Sequence, residues 1–164
     1  MNRALRIIGI VAVVGFLAAQ LAEPGWHNSR VDPSQTIEAQ LQVPANVLGI
    51  LNHACQDCHT DKTQWRWYAY VAPFSWLQVA DVQAGRGRMN LSQWGRGTLP
   101  EKIDHLKEIC KQVQEGDMPL WYYKPAHYPS AWLSDGDKKA VCDWAKDEVQ
   151  RSALTQNHFR KDEQ

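Results

Sequence analysis

The stretch Cys55-Gln56-Asp57-Cys58-His59 decides how the rest of this 164-residue chain is interpreted. Two thiols three positions apart, followed at once by an imidazole, form the signature by which a c-type haem is attached. In that chemistry both thiols bond to one edge of the porphyrin, and the adjacent imidazole becomes the proximal ligand of the iron. The motif therefore predicts one covalent haem c held by Cys55 and Cys58, with His59 on the iron.

Three other uses of closely spaced cysteines agree less well with the sequence. A structural zinc site needs a second pair of ligands at short range, whereas Cys110 and Cys142 are isolated and far apart. A thioredoxin-type redox pair needs a βαβ context, and no alternating Val/Ile-rich run predicts a strand. A disulfide between the two cysteines of the motif would leave His59 without a role.

Apolar residues recur at helical spacing on both sides of the motif and predict an all-α, cytochrome c-like domain with long aromatic loops between about 60 and 98. One helix is expected over 44–54, delivering Cys55 to its end. A second is expected over 75–84, with Gly85 as its stop.

Two later helices carry clearer boundary signals. Thr98 and Glu101 form a capping box, and Gly116 follows the last residue of the predicted helix. Ser134 opens the final helix, which is expected to run to about Arg151.

The sixth position on the iron has several candidate ligands in the sequence. Met118 is the leading candidate because it lies in a turn-like Gly-Asp-Met-Pro loop, from which its thioether can project. His127, in a rigid aromatic loop, is the alternative, and water or an open site also remains possible. The other candidates are Met89, which looks like part of a solvated loop, His105, which lies off the apolar stripe of its helix, and His53, which is too close to the attachment motif.

Cys110 and Cys142 lie on the two helices that flank the Met118 loop. Exported chains seldom keep free thiols reduced. We therefore expect a disulfide between them, with two buried free thiols as the alternative.

The N-terminus has the composition of an export signal. Arg3 and Arg6 precede an apolar run, and no acidic residue occurs before Glu23. The cleavage pattern is poor, so an uncleaved transmembrane anchor over 1–22 is expected over a removed peptide. The positive-inside rule then leaves the N-terminus in the cytoplasm and the haem domain in the periplasm, at a bacterial inner membrane.

The expected organisation is an anchor (1–22), a linker (23–43), a haem-binding domain (44–151) and a polar C-terminal tail (152–164). The 18 basic and 18 acidic residues cancel, which argues against a nucleic-acid partner. The 8 Trp and 5 Tyr are many for a small domain, and agree with the enclosure of a large flat group.

Beyond the haem motif, the chain resembles the bacterial family known as the haem-binding domain, whose members are membrane-anchored and carry one Cys-x-x-Cys-His. The resemblance spans about 43–145 and rests on CQDCHT (55–60), WRWY (65–68), APFSW (72–76), GR (85–86), NLSQW (90–94), GDMPL (116–120) and His127. It implies a fold similar to single-haem cytochromes c, with His59 and Met118 as axial ligands. Asp81 departs from the family, which often has His there, so no role of that His is carried over.

The function expected from these features is electron transfer by a membrane-anchored periplasmic cytochrome, with a redox partner at the membrane. A haem-based sensor or ligand-binding module with an exchangeable sixth ligand is the alternative, and an accessory subunit with a structural haem is a third hypothesis. The sequence shows no catalytic constellation, so an enzyme is not the expected class.

Overall fold

The computed structural model describes residues 2–22 and 24–162, and over these ranges it contains helices and no strand. The α-helices are α1 (Arg3–Ala19), α2 (Ile37–Gln40), α3 (Ala45–Ala54), α4 (Gln56–His59), α5 (Phe74–Arg88), α6 (Leu99–Glu115), α7 (Tyr123–Ala126) and α8 (Asp135–Asp162). Short 3₁₀ helices cover Pro33–Gln35, Trp67–Tyr70 and Leu91–Arg96. The all-α prediction is confirmed.

The helix boundaries follow local signals where such signals are strong. The Thr98–Glu101 capping box is present at the start of α6, and Gly116 ends this helix with a left-handed φ of 80°. The second predicted helix is longer than expected, because α5 continues through Gly85 to Arg88. The last helix is also longer, since α8 runs to Asp162 and not to about Arg151.

The prediction of a transmembrane helix over 1–22 is not met. Among the described residues, no helix combines the length and the apolar character needed to cross a membrane. Helix α1 holds 17 residues, which rise about 25 Å against a hydrocarbon layer of about 30 Å. Its last turn ends at Gln20, whose side-chain amide donates to Phe16 O at 2.9 Å.

The main core lies between α3, α6 and α8, and a disulfide links the two longest of these helices. Cys110 of α6 and Cys142 of α8 are bonded, as the sequence predicts. Both residues are buried and belong to the same core cluster as Leu106 and Val141. Closing the 32-residue separation between them stabilises the fold by about 3.7 kcal/mol in the chain-entropy description.

The segment expected to be a linker packs closely on the domain. Ile37 is 2 % exposed and belongs to the core. Gln42 lies between two groups of α8, since its N–H donates to Glu148 Oε1 at 3.1 Å and its carbonyl accepts from Trp144 Nε1 at 3.2 Å. These contacts make residues 36–43 part of the folded unit.

Arg86 of α5 binds another part of the 23–43 segment to the domain. Its guanidinium donates to His27 O at 2.9 Å, to Asn28 Oδ1 at 2.5 Å and to Thr60 O at 2.8 Å. The buried Asp61 carboxylate lies 3.6 Å away and balances the charge. One side chain therefore joins α5, the residues after the haem motif and the segment that follows α1.

Candidate functional site

An apolar cavity of about 460 Å³ opens between α3, α4, α5, α6 and the loop after α6. Its volume is in the range of cofactor and small-molecule sites. Most of its lining is apolar, including Leu51, Ala54, Ala84, Leu91, Ile109, Val113, Pro119 and Leu120. The cavity also brings together Cys55, Cys58, His59 and Met118, which the sequence singled out.

The two motif cysteines reach the cavity because α3 ends at the first of them and α4 carries the second. Both are free thiols and partly exposed. Burial raises the pKa of each thiol to about 12, and at Cys58 the nearby carboxylates of Asp81 and Asp57 add to the effect. Both cysteines are therefore neutral at physiological pH and line one wall of an apolar space.

Gly85 explains how α5 approaches the motif so closely. A Cβ at this position would lie 2.5 Å from Cys58 O and 3.0 Å from the carbonyl carbon of the same residue. Such distances are well below van der Waals contact, so only a glycine allows α5 and α4 to pack at this spacing. The glycine expected to stop the helix is therefore a packing position within it.

One ring nitrogen of His59 is hydrogen-bonded to the backbone. Its Nδ1 lies 3.0 Å from Met89 O, and since a carbonyl only accepts, Nδ1 must donate. The neutral ring then carries its proton on Nδ1 and keeps a lone pair on Nε2, which is the arrangement found in metal-binding imidazoles. Burial lowers the pKa of His59, which favours this neutral form.

Met118 follows the C-terminal turn of α6. The left-handed Gly116 turns the chain, and the N–H groups of Asp117 and Met118 both donate to Gln112 O, at 3.1 and 3.2 Å. These bonds satisfy a carbonyl at the end of the helix and hold the start of the loop. Met118 is half-buried and lines the cavity that contains His59.

His127 does not line this cavity, and both of its ring nitrogens are engaged elsewhere. Nδ1 lies 2.9 Å from Tyr123 O and Nε2 lies 2.7 Å from Tyr68 Oη. The ring is stacked on Tyr123 at 3.6 Å between centroids, and the residue is 7 % exposed. Tyr123 in turn donates its hydroxyl to the buried Asp57 carboxylate at 3.1 Å. His127 therefore belongs to the structure that supports the motif.

Two residues that the sequence placed away from the site line the cavity. Met89 was expected in a solvated loop, but it packs against the core and supplies the carbonyl that binds His59. His105 was expected off the apolar stripe of its helix, yet it is half-buried, with its ring 5.9 Å from that of Trp94. His53 binds Ser130 O and is not part of the lining.

Asp81 and Tyr122 form a polar pair on the wall of the cavity. The Tyr122 hydroxyl donates to Asp81 Oδ1 at 3.0 Å. Burial raises the pKa of Asp81, while burial and the adjoining carboxylate raise the pKa of Tyr122 to about 12. The sequence contained no motif for this pair, because its members are 41 residues apart.

Comparison with known proteins assigns the family. A family model described as the haem-binding domain matches residues 14–147. The chain belongs to the haem-binding domain family. Comparisons with curated proteins and with solved structures gave no match. The match covers the motif, the cavity walls and the Met118 loop, and so confirms the resemblance noted in the sequence.

The groups that line the cavity of this haem-binding domain fit its cofactor chemically. The cavity presents two thiols, one imidazole whose Nδ1 is bound by Met89 O, and one thioether to a common apolar space. These are the groups that attach and ligate a c-type haem. The residues that could hold haem are therefore Cys55, Cys58 and His59, with Met118 as the candidate for the sixth position.

Proposed function

We propose that this haem-binding domain is an electron carrier with one covalently attached haem c. A single observation carries the proposal: Cys55, Cys58, His59 and Met118 line one apolar cavity. A haem bound in it supplies a one-electron centre. Cys55 and Cys58 would hold the haem through two thioether bonds, and these would need no oxidant, because a thiol can add its sulfur and its proton across one vinyl double bond.

The two residues that would hold the iron would also give the carrier its redox character. His59 is oriented by Met89 O and offers Nε2 to the iron. Met118 offers a neutral thioether, which favours the ferrous state more than a second imidazole does and so raises the reduction potential. The apolar cavity acts in the same direction, because a low-dielectric surrounding disfavours the extra charge of the ferric site.

A sensor or ligand-binding module is the second candidate, and the pair of Asp81 and Tyr122 favours it. These residues place hydrogen-bonding groups on the cavity wall, where a small ligand could bind if Met118 were displaced. Ligand binding to haem depends on the polarity and the hydrogen-bond donors around the open position.

We propose further that α1 attaches the chain to a bacterial inner membrane and that the haem domain lies on its periplasmic side. The large apolar side chains of α1 from Leu5 to Leu17 are each 50 to 64 % exposed, and such a surface is unfavourable in water. Arg3 and Arg6 precede the apolar run, as in an export signal. The Cys110–Cys142 disulfide agrees with an oxidising compartment.

The redox partner is proposed to be a protein at the membrane that docks beside the cavity. Trp121 is 78 % exposed and precedes Tyr122, which lines the cavity. Exposed aromatic residues are enriched in protein interfaces, so this rim is a suitable place for electron exchange.

Covalent attachment is tested by haem staining after denaturing electrophoresis of protein made in a host competent for cytochrome c maturation. The wild type should give a stained band, whereas Cys55→Ala and Cys58→Ala should each lose most of it. The control is the double variant Cys110→Ala/Cys142→Ala, which removes the two cysteines outside the motif and should keep the band. An unstained wild-type band overturns the proposal.

The visible spectrum of the purified protein distinguishes the carrier from the sensor. A low-spin oxidised form with a sulfur-to-iron band supports His/Met ligation and electron transfer. A high-spin oxidised form, or rapid binding of carbon monoxide by the reduced form, supports the sensor. Membrane attachment is tested separately by alkaline extraction of membranes, from which the chain should remain in the pellet.

A further inference from the structure

A cluster of exposed apolar side chains lies near the end of α1 and has no role in the haem cavity. We call it the aromatic patch: Trp67 (77 % exposed), Tyr70 (54 %), Phe74 (59 %), Trp76 (41 %) and Leu77 (47 %). The 3₁₀ turn Trp67–Tyr70 packs against α5, so the two parts of the patch are neighbours. Large aromatic side chains exposed this close together mark an interaction surface.

The aromatic patch is tied directly to the residues that follow α1. Gln20 accepts from the Ala72 N–H at 2.9 Å, and Trp76 Nε1 donates to Ala22 O at 2.9 Å. Trp26 adds a hydrogen bond to Ala69 O at 2.6 Å and a ring contact with Tyr70 at 5.0 Å. Any surface that takes up α1 must therefore lie close to the patch.

The charge around the patch suits a lipid surface. Between Gln64 and Ala80 the only charged residue is Arg66, which is exposed. Trp and Tyr are the residues enriched where hydrocarbon meets lipid headgroups, because their rings are apolar and their N–H or O–H groups are polar. A nearby Arg can bind lipid phosphate.

We propose that the aromatic patch inserts into the headgroup region of the bilayer that holds α1, so that the haem domain lies against the membrane in a fixed orientation. This inference rests on the membrane attachment proposed above. It explains why a helix of 17 residues is joined to the domain by hydrogen bonds and not by a long spacer. The occupant of the patch is phospholipid, and the rim at Trp121 stays open to water and to partner proteins.

The test compares two tryptophans that are matched in the isolated chain. Trp67 and Trp121 are 77 and 78 % exposed, and each has its ring edge-on to the following tyrosine. The full haem-loaded chain is placed in vesicles of phosphatidylethanolamine and phosphatidylglycerol and treated with hydroxyl radicals from X-ray radiolysis. Mass spectrometry then gives the oxidation rate of each residue. Trp67 should be oxidised several-fold more slowly than Trp121.

The experiment tests the insertion of the aromatic patch separately from the attachment of α1. Flotation of the vesicles, measured on the same sample, reports whether the chain is attached. A chain that fails to float overturns the attachment and the inference together. If the chain floats but Trp67 and Trp121 are oxidised equally, the attachment through α1 stands and the insertion of the aromatic patch is contradicted. Protection of Trp67 in native membranes but not in pure lipid vesicles also overturns the inference, since the cover is then a protein.

A charged substitution provides a second measurement. Phe74→Glu places a carboxylate in the patch and should raise the oxidation rate of Trp67 towards that of Trp121, while flotation and haem content stay unchanged. Leu154→Glu is the matched control, because Leu154 is 63 % exposed on α8 and lies outside the patch. Trp67 should stay protected in this control. Continued protection of Trp67 in Phe74→Glu means that lipid does not cover it, and contradicts the inference.

Discussion

His59 and His127 lie in different regions of the molecule but share one local interaction. Each has Nδ1 within 3.0 Å of a backbone carbonyl, that of Met89 for His59 and that of Tyr123 for His127. They differ at Nε2. At His127 this atom is bound by the Tyr68 hydroxyl at 2.7 Å, whereas His59 lines the cavity. The surroundings of Nε2 therefore distinguish His59, a candidate iron ligand, from His127, which supports the fold.

The largest expected effect comes from removing each histidine in turn. His59→Ala should lose most of the stained haem, because the iron loses the ligand placed next to the attachment motif. His127→Ala should keep the haem and the low-spin spectrum but lower the free energy of unfolding by about 2 kcal/mol, since Tyr68 and Tyr123 lose buried partners. The measurements are haem content, visible spectrum and denaturant unfolding. If the iron of His127→Ala is high-spin, then His127 is an iron ligand and its structural role is contradicted.

A second large effect is expected at Met118. Met118→Ala should give a high-spin iron that binds carbon monoxide readily, because the sixth position is open. Met118→His should stay low-spin and have a potential lower by tenths of a volt, given that axial ligands set haem potentials over about 0.8 V. Potentiometric titration and spectra measure both. His105→Ala is the control, because His105 also lines the cavity; an unchanged Met118→Ala with a high-spin His105→Ala would make His105 the ligand.

A smaller effect is expected where α5 meets the motif. Gly85→Ala adds a Cβ 2.5 Å from Cys58 O, so α4 and α5 must move apart, at a cost of about 1–3 kcal/mol for overpacking. The yield of attached haem should fall, and the unfolding midpoint with it. Gly87→Ala is the control in the same helix, since a Cβ there meets nothing within 4 Å and should be neutral or stabilising. Equal behaviour of the two variants would show that the approach of α5 is not tight.

The smallest expected effect tests the hydrogen bond that occupies His127. Tyr68→Phe leaves His127 Nε2 without its donor, and should destabilise the fold by about 1–2 kcal/mol. The spectrum and potential should not change, because His127 does not line the cavity. Thermal unfolding and a redox titration of the same sample measure both quantities. A change in the reduction potential of Tyr68→Phe would contradict the purely structural role assigned to His127.

Local signals in the sequence predicted the parts of the fold that depend on neighbouring residues. The capping box at Thr98 and the glycine stop at Gly116 are present because their hydrogen bonds join residues only a few positions apart. The glycine stop at Gly85 was wrong for the opposite reason. Its environment is set by Cys58, 27 residues earlier, and a close helix contact leaves no trace in local spacing.

The walls of the cavity were the least predictable part of the site. Met89 was set aside because its sequence neighbours are polar, and His105 because it lies off the apolar stripe of its helix, yet both line the cavity. The pair of Asp81 and Tyr122 was missed, since it joins α5 to the loop after α6. Side chains from separate elements meet only when the helices pack, so their grouping cannot be inferred from periodicity along one helix.

The sequence by itself determined the family, the helical class and the cofactor motif, because Cys55, Cys58 and His59 lie within five consecutive positions and their chemistry depends on that spacing alone. Only the tertiary structure decided which distant side chains share the cavity with them. Met118 lines it because the turn after Gly116 directs the chain there. His127 is kept out because Tyr68, 59 residues away, binds its second nitrogen. Such a choice depends on contacts between separate elements, and these form only when the chain has folded.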